Sequence, residues 1–399
     1  MDASGDHPIE TVGLNAATAP VHTPGVTVVG HPFSQVGMGE QMRAGFRAVR
    51  AAGIPAALHD VFRYAPRQDP DIRSLVLPDE ADGLPEGGIR ICHFNGDEIG
   101  PVLEALSKKG AGFENGYNII VPAWELPRYP SVWRDGLLLF DEIWAMSRFV
   151  KAAIESIGLT AHHVGQSVEA DYGNHLPRRF FAIRESSFVL LSAFDMSSYV
   201  ARKNPFAAID LFKRFRQKRP FDDVQLVLKM RAGEQDASES VFPRVGDLPK
   251  GTVVIRENYP SYAARSLVGC CDCLVSLHRS EGFGRSMGEA MFLGRLALAT
   301  GWSGNCDYMT PDNSLFVRHA MVDVREGDYP HSAGQQWAEP DVDHALHLLL
   351  KALDDPAWMR RLRQNGRLDA RRLLSNRAVG LRMLARLEAV CAGSGWAAP

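Results

Sequence analysis

The stretch Ser280-Glu-Gly-Phe-Gly-Arg-Ser-Met-Gly-Glu-Ala290 decides the reading of this chain. It follows the apolar run Cys273 to Leu277, passes two closely spaced glycines, and continues from Ser286 to Leu293 with helical spacing. Beyond Gly294 a second apolar run, Leu296 to Thr300, is strand-sized. Strand, loop, helix and strand in this order predict a parallel β/α sheet. Ligands of such sheets bind beyond the carboxyl ends of the strands, where loops and helix N-termini converge. Gly282 and Gly284 admit a ligand close to the backbone, and the helix start offers unpaired N–H groups and partial positive charge. That geometry suits a diphosphate. Glu281 is placed to reach sugar hydroxyls, and Glu289, two turns on, a ribose diol.

Outward from this stretch the same alternation continues. Strands are expected at Phe188 to Ala193, Val224 to Lys229 and Val253 to Arg256, with helices at Pro205 to Gln217 and Tyr262 to Val268. An earlier series opens with Val26 to Gly30, the glycine loop Ser34 to Glu40 containing Gly37 and Gly39, and a helix from Gln41 to Ala52. Further strands follow at Ile89 to His93, Tyr117 to Val121 and Glu142 to Met146. Two series in 399 residues fit two domains at roughly 150 residues each, and two domains imply a cleft. The polar stretch Asp171 to Arg179 reads as the linker and Arg231 to Ser240 as an exposed loop. The expected division is a flexible leader (1–24), an N-terminal domain (25–180), a C-terminal domain (181–375) and a last helix (376–399). From Asp341 onward the chain reads as helical.

Composition excludes several classes. A chain 45% apolar and 23% charged can bury two cores. A net charge of −3 supplies no field to gather nucleic acid. The apolar runs are strand-sized, far short of the ~20 residues that span a bilayer. Asp2, Asp6 and Glu10 argue against a secretory signal at the start. Six cysteines, three of them in Cys270-Cys-Asp-Cys273, form neither a disulfide framework nor a spaced metal set, and are expected as thiols in a reducing cytoplasm. Arg363, Arg367, Arg371, Arg372, Arg377, Arg382 and Arg386 read first as a solvated helical face, with peripheral contact to an anionic membrane as the alternative.

Two glutamates eight positions apart around Gly-Phe-Gly, followed by Ala290-Met291, Gly294, the strand to Thr300 and Ser303-Gly-Asn-Cys-Asp307, resemble the signature of family 4 glycosyltransferases of the GT-B fold. The run Phe194 to Pro205 agrees: there the family places basic residues against the donor diphosphate, which implies that role for Arg202 and Lys203. These two are read at a helix start, where cations oppose the dipole and so favour an anionic ligand. Lys229, at a strand end, is a further phosphate contact, and Asn258 is expected near the base. Gly37 and Gly39 resemble the family's flexible loop beside the donor phosphate. Position 42 is Met42, so the loop lacks the third glycine of a dinucleotide site. The loops His93-Phe-Asn95-Gly-Asp97 and Trp124-Glu125 to Pro130 are expected on the acceptor side. His93 and Glu125 would bind acceptor hydroxyls or steady positive charge at the anomeric carbon; Asn95 and Asp97 would contact the acceptor. Trp124 and Tyr129 either stack on a sugar or pack in the core.

The resemblance implies two Rossmann-like domains facing across a cleft, with C-terminal helices packing back on the first domain. It also implies retaining transfer from a nucleotide-sugar to a glycan or lipid-linked acceptor, as in bacterial polysaccharide synthesis. Gly282, Phe283, Gly284 and Glu289 would line the donor, and Glu281, Arg202 and Lys203 would act in transfer. The sugar nucleotide is a substrate, so no cofactor is expected, and no Asp-x-Asp after one of the expected strands supplies a metal site. The alternatives are a nucleotide-sugar epimerase on the same fold and a non-catalytic sugar-binding scaffold.

Overall fold

The computed structural model of the protein describes residues 25–61, 70–76, 79–81, 84, 87–108, 112–114, 116–169, 175–231 and 245–394. The expected leader, residues 171–174 of the linker and residues 232–240 of the polar loop lie outside the described residues.

The first domain runs β1 (Val26–Gly30), α1 (Gly37–Ala51), β2 (Ala56–Asp60), α2 (Pro70–Val76), β3 (Ile89–Cys92), α3 (Ile99–Ser107), β4 (Tyr117–Ile120), α4 (Arg134–Leu137), β5 (Glu142–Ala145), α5 (Arg148–Glu155) and β6 (His162–His163). Its strands pair in parallel in the order β2-β1-β3-β4-β5-β6. The order reverses between β1 and β3, which opens a crevice beyond their carboxyl ends. The glycine loop and the loop from His93 both start there.

The second domain runs β7 (Phe188–Asp195), α6 (Val200–Lys203), α7 (Pro205–Lys218), β8 (Val224–Arg231), β9 (Thr252–Ile255), α8 (Ser261–Cys270), β10 (Cys273–Ser276), α9 (Arg285–Phe292), β11 (Leu296–Thr300) and β12 (Leu315–Val317). These strands also form a parallel sheet, ordered β12-β11-β10-β7-β8-β9. Here the switch lies between β7 and β10, so α6 and α9 flank the crevice. The two sheets face each other across a cleft.

Each sheet buries apolar residues on both faces. Leu190, Leu226, Leu228, Leu296 and Leu298 pack with Leu211, Phe212 and Phe215 of α7. Each such side chain contributes about 1.5–3 kcal/mol when fully buried. In the first domain Val26, Val28, Ile89 and Ile119 pack with Met42, Phe46 and Val49 of α1. A third cluster crosses between the domains and joins Trp124, Ile143 and Val150 to Phe283, Met287 and Tyr308.

After β12 comes an antiparallel ribbon, β13 (His319–Asp323) and β14 (Gln336–Pro340), then α10 (Val342–Asp354), α11 (Pro356–Leu374) and α12 (Asn376–Ser394). The last helix packs back on the first domain: Val379, Met383 and Leu387 enter its core beside α1. The arginines of these helices are not one solvated face. Arg367, Arg371, Arg372 and Arg377 are exposed. Arg363 instead donates to the Gly294 carbonyl (2.9 Å), Arg382 to those of Val164 (2.8 Å) and Leu373 (2.9 Å), and Arg386 pairs with buried Glu142.

Candidate functional site

A cavity of about 580 Å³ lies between the domains at the two switch points. Arg202, Lys203, Lys229, Glu281 to Ser286 and Glu289 line it from the second domain; Gly37, Gln41, Asn95, Glu125, Met146 and Gln166 do so from the first.

Local backbone geometry sets the cationic wall. Tyr199 (φ 61°) and Asn204 (φ 51°) bracket the short helix α6 in the left-handed region, where non-glycine residues carry strain. Asn204 donates through Nδ2 to the Leu277 carbonyl (3.0 Å), and Pro205 then starts α7. Arg202 and Lys203 therefore sit in the last turn of α6, which corrects the expectation of a helix start. Cations are favourable at a helix C-terminus, so the dipole gives no argument for an anionic ligand here.

Both cations pair with a carboxylate on the same wall. Lys203 Nζ is 2.5 Å from Glu281 Oε1, and Arg202 is 3.4 Å from Glu281 Oε2. Arg202 also lies 3.8 Å from Glu125, donates to the Ser280 carbonyl (3.0 Å), and faces the Tyr329 ring at 5.8 Å. Burial works against charge on Arg202, but Glu125, Glu281 and Tyr329 raise its pKa above the ordinary value. Burial likewise opposes charge on Glu281, and Lys203 and Arg202 override it, holding the carboxyl down to about 2. Both residues are ionised at neutral pH.

The glycine loop before α9 is as tight as its composition suggests. A Cβ on Gly282 would lie 2.7 Å from the Trp124 carbonyl of the other domain, and Gly284 holds φ +84°. Ser147 Oγ donates to the Gly282 carbonyl (2.5 Å), and Ser280 Oγ to that of Glu125. Arg285 and Ser286 open α9 at the cavity wall, and the next amide, that of Met287, donates to the Gly284 carbonyl (3.1 Å). Glu289 follows on the same helix. Burial raises its pKa, and Arg285 opposes that with Nε at 2.8 Å. Arg285 also reaches Glu40 of α1 (3.0 Å) and the Ser167 carbonyl (2.9 Å). Burial disfavours charge on Glu40, yet Arg285, Arg47 and Arg43 hold its carboxyl far below the usual range.

On the first-domain wall, Gly37 is open to the cavity, whereas a Cβ on Gly39 would meet the Ser34 carbonyl at 2.2 Å, so Gly39 builds the turn. Asn95 lines the cavity with Oδ1 accepting from the Ala123 amide (2.9 Å). Glu125 lines it while accepting from the Tyr329 hydroxyl. Four other residues do not line it. His93 is buried against Gly45, with Nδ1 3.4 Å from Gln41 Nε2, and burial lowers its pKa to about 3. Trp124 packs edge-on against Trp133 and Tyr329 and donates to the Arg128 carbonyl (2.7 Å), so core packing took it rather than a sugar face. Asp97 and Asn258 are exposed outside the cavity. Phe283 contributes backbone while its ring packs on Tyr308. Lys229 lines the cavity with Nζ 5.7 Å from the Tyr259 ring centroid, and burial lowers its pKa.

Several residues carry no signal in the sequence. Arg231 lines the cavity and donates to the Gln35 carbonyl (2.8 Å), closing the glycine loop from the other domain. Tyr329 arrives on the connection between β13 and β14, together with Gln335, whose Oε1 accepts from the Arg128 amide (2.8 Å). Arg128 donates back to the Ala333 (3.1 Å) and Gly334 (2.7 Å) carbonyls. This connection clasps the two domains. Gly327-Asp328, Pro330 and Gly334 mark a loop there, but nothing local places it against the first domain.

Solved structures share this architecture. The Anabaena protein HepE in complex with UDP and glucose has a TM-score of 0.64 at 12% identity, over 92% of this chain and 100% of that one. Sucrose-phosphate synthase from Thermosynechococcus elongatus gives 0.62 at 15%, over 93% and 100%. A glycosyltransferase from Rickettsia africae gives 0.64 at 11%, over 93% and 99%. No protein-family model and no curated sequence matches the chain. At these identities the likeness is one of fold: the chain has the GT-B architecture, two Rossmann-like domains with parallel sheets facing across a cleft.

Proposed function

We propose that this protein is a retaining, metal-independent glycosyltransferase that moves a sugar from a nucleotide-sugar to a hydroxyl of a glycan or lipid-linked acceptor. The observation that carries the reading is the convergence of Arg202, Lys203 and the start of α9 on the cavity between two sheets' switch points. That HepE was solved with UDP and glucose in the same fold supports it. Arg202, Lys203 and the α9 amides take the diphosphate, and Glu289 the ribose. As the anomeric C–O bond to the diphosphate breaks, the acceptor oxygen bonds to the same face of that carbon. Its proton passes to the departing phosphate oxygen. Catalysis then rests on holding both reactants and on stabilising charge at the leaving group. With Arg202, Lys203, Lys229, Arg231 and Arg285 on the second-domain wall beside the α9 start, cationic side chains stand in for a metal.

Arg360, Arg361, Arg367 and Arg371 form an exposed row on α11 with no acidic partner among the described residues. We place peripheral contact with an anionic inner-membrane surface there, on the cytoplasmic side, where a lipid-linked acceptor would be met.

The test is incubation with UDP-, GDP- and ADP-linked sugars in excess EDTA, with a library of oligosaccharide and lipid-linked acceptors. Proton NMR of the product gives the anomeric configuration. Transfer with retention is expected. Sugar inversion without acceptor, or turnover only after magnesium is returned, overturns the reading.

A further inference from the structure

Among the polar first-domain side chains on the cavity, one differs from the rest. Asn95 accepts from the Ala123 amide, Gln41 donates to the Val121 carbonyl (2.8 Å), and Glu125 accepts from Tyr329. Gln166 is 7% exposed and lines the cavity, yet its carboxamide has no hydrogen-bond partner among the described residues.

The chain on both sides of Gln166 is fixed. The Val164 carbonyl accepts from Arg382 of α12 (2.8 Å). Ser167 Oγ is 2.8 Å from Asn376 Oδ1 and 3.2 Å from the Ala44 carbonyl, and its own carbonyl accepts from Arg285 (2.9 Å). The Val168 amide donates to Leu374 (3.0 Å). Three helices and the head of α9 thus hold a short segment still, while the one carboxamide in it points at the cavity with its donors and acceptor free. The carboxamide opens onto the cavity, where water satisfies it until a ligand group takes that place, and its fixed backbone sets where the new hydrogen bond would form.

The ligand's chemistry follows from the group. A neutral carboxamide offers two N–H donors and a carbonyl acceptor, which matches a hydroxyl, itself donor and acceptor. The diphosphate already has Arg202, Lys203 and the α9 start. Resting on the nucleotide-sugar reading, we infer that Gln166 is a first-domain contact to the transferred sugar: it hydrogen-bonds a hydroxyl of that sugar opposite α9 and so selects its configuration.

Calorimetry of wild type and Gln166→Leu tests this with UDP, GDP and ADP and with UDP-glucose, GDP-mannose and ADP-glucose, the thermal melt of each variant serving as the folding control. Loss of one hydrogen bond is expected to weaken the nucleotide-sugar roughly 3- to 10-fold and leave the free nucleotide unchanged. Gln166→Asn, with a shorter carboxamide, should recover part of the loss. Equal weakening of nucleotide and nucleotide-sugar would assign the contact to phosphate or ribose and overturn the inference. Unchanged affinity for both would make Gln166 a solvent-facing side chain. If the wild type binds none of the six ligands, the nucleotide-sugar reading itself fails, and this inference with it.

Discussion

The two walls of the cavity were built differently. On the second-domain wall, Arg202, Lys203, Glu281, Glu289 and the glycine loop face the cavity, and their contacts run to one another. On the first-domain side, His93 is buried beside Gly45 and Trp124 joins an aromatic cluster behind the wall, while Asn95 and Glu125 face the cavity braced by the Ala123 amide and the Tyr329 hydroxyl. The first wall is held by packing and by clasps from the other domain, through Tyr329, Gln335, Arg231 and Arg285. A charged residue at a strand's end is exposed to whatever fills the crevice, because burying it alone is costly; a histidine or tryptophan has no such obligation.

If the two sides differ in this way, substitutions on the second-domain wall should change catalysis and binding, and those at the inward-turned residues of the first domain, unlike cavity-facing Gln166, mostly stability. Lys203→Ala should show the largest effect, since the diphosphate gains charge as the glycosidic bond breaks. Steady-state kinetics should show kcat lower by about 10²–10³ with a smaller change in donor KM. A rise in KM alone would reduce Lys203 to an anchor.

Glu289→Ala comes next. Removing the carboxylate should weaken nucleotide binding by about 1.5–3 kcal/mol in calorimetry. It also frees Arg285, which would then rest on Glu40 and the Ser167 carbonyl alone among these three contacts. An unchanged dissociation constant in a folded variant would remove Glu289 from the site.

His93 sharpens the contrast from the other side. Its folded pKa of about 3 lies below the ordinary value of about 6.5, because burial disfavours the charged ring. Between those pH values the unfolded chain binds the extra proton, so stability falls as pH falls. The share owed to His93 is about 2 kcal/mol between pH 7 and pH 5. Denaturant titrations of His93→Gln should lack that share, with kcat within a few-fold of wild type. A large fall in kcat at full stability would return His93 to the reaction.

What the sequence shows follows the same division. The parallel sheets and the α9 glycine loop were legible, since glycine spacing and apolar runs have a local cause; the role given to Arg202 and Lys203 came from the family resemblance instead. Two kinds of feature were not. The ribbon β13–β14 has mixed, partly exposed strands without alternation, and Gly327, Pro330 and Gly334 of its long connection mark a loop without showing where it docks. Burial of His93 and Trp124 depends on partners far along the chain, such as Gly45 and Tyr329, that no local pattern links to them. The position of Arg202 and Lys203 at the end of α6 was missed for a third reason. The left-handed Asn204 splits what reads as one helix start into two helices.

In the proposed reaction the cationic wall holds the leaving nucleoside diphosphate. Calorimetry with UDP, GDP and ADP in EDTA, on wild type and on Lys203→Ala, tests it most directly. The free diphosphate carries the charge that develops during transfer, so one of the three should bind wild type without metal and bind Lys203→Ala far more weakly. Binding to no nucleoside diphosphate, or equal binding to both proteins, would contradict the account.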